Sequence, residues 1–432
     1  MTKSKQFHFL FATLEAGGNV TPLMLVVSRL VGRGHHVRVM SDLASKEEAE
    51  KAGAQFIPWM LAPSRPDRSR EHELIRDWEA ATPEDGMRKV IGELLCGKAH
   101  AYAQDVLHAL DRQPADLVVS LPLLLGVMAG CESRGQAMAL LAPSISPFPI
   151  SGIPPFGPGL KPAKTDAERI LHAQIAIASR ELFDTGLPSL NEVRKALGLC
   201  PLAHVEDQLN YGRPYLLGTA RAFDFPPDVL PERVRYVGPL IRDPAWVEPW
   251  SPPWPAADSR PLVLVGFSTS FQNHVPVLQN VIDACAELPV RVLVTLGGSV
   301  HPRELTPAPN SVLVGSAPHS AVMADASVLV THGGHGTIAN GLVRGLPMLV
   351  IPLGRDQFDN AVRITDRGAG LCLPRTASAG EIREAIKRLL QDPSFSTAAR
   401  KLGDAVATEI ENSTVVEELE SAALASLRRL VS

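Results

Sequence analysis

The hexapeptide His332-Gly-Gly-His-Gly-Thr337 combines ring N–H groups, a hydroxyl and three glycines at the point where an apolar run, Ala326-Ser-Val-Leu-Val-Thr331, must turn from a buried strand into a helix. Glycines in such a turn let backbone N–H groups come close to an anion. Ala339, Leu342 and Val343 continue at helical spacing, and Gly345 and Pro347 act as stop signals, so the turn lies at a helix N-terminus. Unpaired amides and the helix dipole favour a phosphate there. A second strand, Met348 to Pro352, leads into Leu353-Gly-Arg-Asp-Gln357, where a carboxylate and an amide suit several hydroxyls better than another phosphate. Diphosphate at the turn and sugar hydroxyls at the loop is the geometry expected of a nucleotide-sugar site.

The elements that must hold this segment alternate strand and helix. Phe7 to Thr13 reads as a strand, Glu15 to Thr21 as a loop, Pro22 to Gly32 as an amphipathic helix and Gly34 to Met40 as the next strand, which makes an opening βαβ unit of a parallel sheet. The alternation persists through Ala115 to Ser120 and Ala137 to Leu141. It breaks in the Pro-, Phe- and Ile-rich stretch from Pro143 to Pro162, which reads either as a packed surface loop or as the wall of an apolar acceptor pocket with Phe148, Ile150 and Phe156. Tyr236 to Leu240 ends the first half. Asp243 to Arg260, with five prolines and three tryptophans, reads as a linker. Strands at Leu262 to Phe267, Val290 to Leu296 and Ser311 to Val314 open a second α/β half, and Ala399 to Leu430 is helical by period.

A chain of 432 residues is too long for one ordinary core and suits two domains. With 45% hydrophobic and 20% charged residues and a net charge of -4, it lacks the basic excess of a nucleic-acid binder, so nucleic acid is not expected as a partner. The five cysteines, Cys96, Cys131, Cys200, Cys285 and Cys372, form no C-x-x-C pair or metal grouping and are expected to be buried thiols in a reducing compartment. No apolar stretch approaches the ~18–20 residues that span a bilayer, so no membrane span is expected and a cytoplasmic location is the default.

THGGHGTIANGL followed by GLPMLVIPLGRDQFDNAVRITDRGAG resembles the C-terminal signature of family 1, UDP-glycosyltransferase-like enzymes of GT-B architecture. That resemblance implies an α/β fold of two Rossmann-like domains facing a central cleft: an acceptor-binding domain over 1–242, a linker over 243–260, a nucleotide-sugar domain over 261–410, and a C-terminal helix over 411–432 returning to the first domain. It implies that His332 contacts the diphosphate, that Gly334, Gly336 and Thr337 line the phosphate turn, that Asp356 and Gln357 hold the sugar, and that Asn360 sits close by. His335 stands at a variable place in the motif and reads as a packed or solvated histidine. Taken singly, His332 and Asp356 also fit a satisfied loop histidine and a helix N-cap. The implied activity is inverting transfer from a UDP- or dTDP-sugar to a small, partly apolar acceptor, with no cofactor beyond the sugar nucleotide.

The acceptor side departs from the family pattern. Gly18-Asn-Val-Thr-Pro22 has Asn19 where the family's G-H-x-x-P carries a histidine base, and Leu121 stands where its orienting aspartate is expected. An amide accepts no proton near neutral pH, so Asn19 is left to hydrogen-bond an acceptor or sugar, or to serve as a turn residue before a helix capped by Thr21. Glu15, in the same loop, is the nearest replacement base, with a solvated loop carboxylate as its plainer reading. The candidate catalytic residues are therefore Asn19, Glu15 and His332. Ser316-Ala-Pro-His319 replaces the family's W-x-P-Q, which removes the ring that stacks on the base and leaves the backbone around Ala317 and His319 to read its edge. Ser268 and Thr269 are candidates to donate to the diphosphate. No D-x-D pair occurs, so leaving-group stabilisation without a metal is expected. Two other classes share the scaffold: a nucleotide-sugar epimerase, which needs catalytic carboxylates and no acceptor pocket, and a non-catalytic auxiliary protein, which would account for the missing dyad.

Overall fold

The computed structural model describes residues 5–243 and 250–431, so part of the expected linker lies outside the described residues. Seven strands form the first sheet: β1 (His8–Ala12), β2 (His36–Ser41), β3 (Gln55–Pro58), β4 (Leu117–Ser120), β5 (Met138–Ala142), β6 (Tyr215–Leu217) and β7 (Val234–Tyr236). Six form the second: β8 (Leu262–Gly266), β9 (Arg291–Thr295), β10 (Ser311–Val314), β11 (Ala326–Thr331), β12 (Met348–Val350) and β13 (Gly370–Cys372). Their spatial orders are β3-β2-β1-β4-β5-β6-β7 and β10-β9-β8-β11-β12-β13. Every pairing is parallel. Parallel sheets are covered on both faces, which explains why β4, β5 and β8 are buried along their whole length instead of alternating.

Each sheet reverses its direction of winding once, between β1 and β4 and between β8 and β11. Loops leaving the two strands at such a reversal diverge and open a crevice at their carboxyl ends, where doubly wound sheets bind ligands. The first reversal receives the loop from Thr13 to Asn19 and the residues after Ser120. The second receives Phe267 to His274 and the turn His332–Gly334.

Three local expectations change. The helix after β1 begins at Val20 with Asn19 at its N-cap position. Thr21 does not cap it, since that side chain hydrogen-bonds Glu48. The C-terminal tail is two helices, Pro393–Glu411 and Val415–Val431. They are separated where Ser413 Oγ donates to the Val237 carbonyl at 2.5 Å. Val415, Val416, Leu419 and Ala423 of the last helix join the core of the first sheet. Glu420 also receives Arg33 at 2.9 Å and His35 at 2.7 Å there. Among the cysteines, Cys96, Cys131 and Cys285 are buried, whereas Cys200 and Cys372 are exposed, because they sit at a turn and on the edge strand β13.

The stretch from Pro143 to Pro162 is packed against both halves. Phe148 and Ile150 are buried in the first core, with Phe148 against Phe183 at 5.0 Å. Phe156 packs on the second half. Asp359 accepts the Gly157 and Gly159 amides at 2.7 and 3.2 Å, so the segment straps the two halves together. Its apolar residues are spent on that packing. Among the described residues, no helix is long and apolar enough to cross a membrane.

Candidate active site

The turn after β11 is built by glycines with distinct jobs. Gly333 has φ +101, and a Cβ there would lie 3.0 Å from Val350 and 3.1 Å from the Gln357 carbonyl, so only glycine fits without strain. A Cβ on Gly334 would lie 2.8 Å from His332 Nε2, whereas one on Gly336 would meet open space. The helix His335–Val343 starts here with Gly334 at its N-cap position. Its first-turn amides, those of His335, Gly336 and Thr337, have no intrahelical acceptor. Thr337 is half-buried.

His332 lies beneath this turn, tilted against Phe267 at 5.9 Å. Burial, reinforced by His274 and Arg355, pushes it down to about 3, against a backbone hydrogen bond to Gly266. It is a neutral imidazole at pH 7, whose single N–H is engaged by the Gly266 carbonyl. His335 is packed: Nε2 meets Thr219 Oγ1 at 2.8 Å, Phe223 lies edge-on, and burial pushes it down to about 4.

A circuit of side chains links the loops after β8 and β12. Gln357 Oε1 accepts the Leu353 and Gly354 amides at 2.7 and 3.2 Å, and Gln357 Nε2 donates to Gln272 Oε1 at 2.9 Å. Gln272 Nε2 donates to Ser268 Oγ at 2.7 Å, and Ser268 Oγ lies 3.1 Å from Ser270 Oγ. Ser270 Oγ accepts from Arg355 Nη1 at 2.7 Å, which returns the circuit to its starting loop. Gln357 therefore keeps one N–H beyond these partners. Asp356 stands at the N-cap of the helix Gln357–Asp366, but its carboxylate accepts from Asn360 Nδ2 at 2.9 Å instead of capping. Burial pushes Asp356 up. Asn360 also donates to the Gly333 carbonyl at 2.9 Å, tying the glycine turn to Asp356, while its Oδ1 is buried without a partner.

Ser268 is buried and Thr269 half-buried beside Gly297. Ala317 is buried, and His319, whose Nε2 lies 3.4 Å from Thr295 Oγ1, starts a short helix at the end of the same sheet. Thus Ser268, Thr269, Ala317, His319, His332, Gly334, Gly336, Thr337, Asp356, Gln357 and Asn360 all sit on the carboxyl side of the second sheet. Ser270, Gln272 and Arg355 were missed, since a serine or glutamine in a loop carries no signal until its partners are known.

Across the cleft the acceptor-side residues are less available. Glu15 is buried and bound to Arg68, with Nε at 3.0 Å and Nη2 at 2.9 Å, while the same guanidinium reaches Glu48 at 3.1 Å. That arrangement is a structural ion pair, neither the solvated carboxylate nor the free base that the sequence offered. Asn19 is half-buried, and its Nδ2 donates to the Ala16 carbonyl at 3.1 Å, which braces the loop. Leu121 is fully buried. The strap over residues 63–79 closes on the second half: Glu73 accepts the Phe271 amide at 3.2 Å, and Trp78 lies edge-on to Phe271 at 5.2 Å. Among the described residues, no group of three or more His, Cys, Asp or Glu side chains could hold a metal ion.

Two doubly wound parallel sheets with a glycine turn at the second switch point match a GT-B architecture, and relatives give the class. Residues 279–422 match the C-terminal domain of the erythromycin biosynthesis protein CIII-like family. The chain is 30% identical over 408 residues to 4'-demethylrebeccamycin synthase of Lentzea aerocolonigenes, covering 91% of this chain and 94% of that protein. It is 27% identical over 426 residues to O-mycaminosyltylonolide 6-deoxyallosyltransferase of Streptomyces fradiae, covering 94% and 96%. The crystal structure of the kitacinnamycin glycosyltransferase superposes with a TM-score of 0.75 at 19% identity, covering 97% of this chain and 99% of that one. The chain belongs to the family 1, UDP-glycosyltransferase-like GT-B glycosyltransferases and is itself a glycosyltransferase.

Proposed function

We propose that the protein transfers a sugar from a UDP- or dTDP-sugar to a small, partly apolar natural-product acceptor, with inversion by in-line displacement. The observation that carries this reading is the turn His332–Gly334 at the β8/β11 reversal, where free helix amides lie beside a buried, neutral imidazole. Charge develops on the departing β-phosphate oxygen in the transition state, and donors already fixed at that point stabilise it by several kcal/mol. Asp356 and the remaining N–H of Gln357 face the sugar hydroxyls in this reading, Asn360 holds Asp356 in place, and Ser268 and Thr269 donate to the diphosphate. The backbone at Ala317 and His319 reads the base. The first domain takes the acceptor. Its open groove, of about 380 Å³ and lined in part by Pro63, Leu74, Glu93, Leu94 and Lys98, is of a size to admit one. Asn19 orients the acceptor, and the acceptor's own acidity replaces the missing base. Loss of a base costs about 10²–10⁴ in rate, which an acidic hydroxyl or N–H recovers.

A hydrolysis screen with UDP- and dTDP-sugars, with and without EDTA, tests the donor side without needing the acceptor. Slow release of UDP or dTDP from at least one donor, unaffected by chelator, is expected. Release from no donor, or release abolished by EDTA and restored by Mg²⁺, would defeat the proposed donor chemistry.

A further inference from the structure

Arg355 is the side chain in which the circuit after β8 and β12 ends. It has φ +57, a backbone conformation that residues with a Cβ rarely adopt and that tends to persist where function requires it. Its guanidinium donates to Ser270 Oγ at 2.7 Å. It also reaches the first half: a Cβ on Gly17 would lie 2.7 Å from Arg355 Nη1, and Gly17 has φ +66. The cation is therefore wedged between the loop after β8 and the glycine loop after β1, at the mouth of the cleft. His332, Asp356 and Glu73 all feel its charge, which places it beside the phosphate turn. Its carboxylate partner is weak, since Asp77 of the strap stands 3.5 Å away and both side chains are partly exposed, at 33% and 23%. A planar fork with a loosely held anionic partner, fixed by a hydroxyl beside an anion-binding turn, is suited to a phosphate.

We propose that Arg355 is the cation that meets the donor's β-phosphate, and that Asp77 holds its guanidinium until the donor arrives. This rests on the donor-site reading above. Arg355 joins the helix amides at the β-phosphate, the group that a monophosphate lacks, so Arg355 distinguishes a nucleoside diphosphate from a monophosphate. Donor binding exchanges one carboxylate for a diphosphate that carries two negative charges in all, which favours occupation of the cleft.

Calorimetric titration of UDP, UMP, dTDP and dTMP into wild type, Arg355→Gln, Arg355→Lys and Asp77→Asn tests the assignment, with melting temperatures confirming that each variant folds. Arg355→Gln is expected to lose roughly 10- to 100-fold in diphosphate affinity while monophosphate affinity stays within about twofold. Arg355→Lys is expected to fall between, because the charge survives and the fork does not. Asp77→Asn is expected to bind the diphosphate up to about fivefold tighter, the most that a partly exposed pair can withhold. If wild type prefers the diphosphate and Arg355→Gln keeps that ratio, the assignment of Arg355 is wrong while the donor site stands. A wild type that binds neither diphosphate overturns the donor site and this assignment together.

Discussion

The two sheets share a strand order around their reversals, yet the loops at those reversals are built from opposite materials. After β8 and β11 the second half carries Ser268, Ser270, Gln272, His274 and His332, all buried, with Ser268 hydrogen-bonded to Ser270 and Gln272. After β1 and β4 the first half carries Glu15, closed off by Arg68, Asn19, used to brace its own loop, and the buried Leu121. In the proposed function the second switch point meets the charge that grows on the leaving group, and the first offers position but no base, so the two tasks would be separable in one scaffold.

Removing the centre of the charged half sharpens the contrast most. His332→Ala is expected to lower turnover by roughly 10²-fold and to weaken UDP or dTDP binding, because the ring that the proposed function sets at the diphosphate is lost. Calorimetry and single-turnover kinetics read both, and an unchanged affinity and rate would erase the distinction between the halves.

Glu15→Gln breaks the contrast from the other side. Gln removes the charge from a buried ion pair while Arg68 keeps Glu48, so a stability loss of about 1–3 kcal/mol is expected in denaturant melts, with turnover per folded molecule within about threefold. A hundredfold fall in rate at unchanged stability would make Glu15 the base after all.

The smallest effect concerns pH. Burial pushes His335 down to about 4 from 6.5, so the unfolded chain binds that proton first. The stability it contributes is present above pH 6.5 and is lost as pH falls through about 4, with a slope of at most about 1.4 kcal/mol per pH unit. In the first half, burial pushes Asp42 up to about 6, so its contribution is present below its unfolded value and is lost as pH rises through about 6. The two slopes oppose each other between about pH 4 and 6. His335→Gln is expected to flatten the loss of stability on acidification in urea melts taken from pH 7 to 4; an identical slope in wild type and variant would show that His335 is not held neutral.

The strand, turn and helix order of the second half was legible because its signals are local. A buried run, a glycine turn, a helical period and a second run lie within one stretch, and each leaves its own trace in residue type and spacing. What the sequence withheld depends on partners far along the chain. Arg355 meets Ser270 across 85 residues, and Glu15 meets Arg68 across 53, so neither pairing can be read from spacing. Phe148 and Ile150 read equally as pocket walls or as core, because an apolar loop has the same composition whether it faces a ligand or fills a core. The tail read as one helix because Ser413, which interrupts it by bonding Val237, is an ordinary helix-surface residue in isolation.

A rate series with acceptors of graded pKa, from acidic phenols to simple alcohols and run with whichever donor the hydrolysis screen identifies, tests most directly whether this enzyme works without a base of its own. The account expects kcat/KM to fall steadily as acceptor pKa rises, with alkyl alcohols barely used. Alcohols glycosylated as fast as phenols, by wild type and by Glu15→Gln alike, would contradict it.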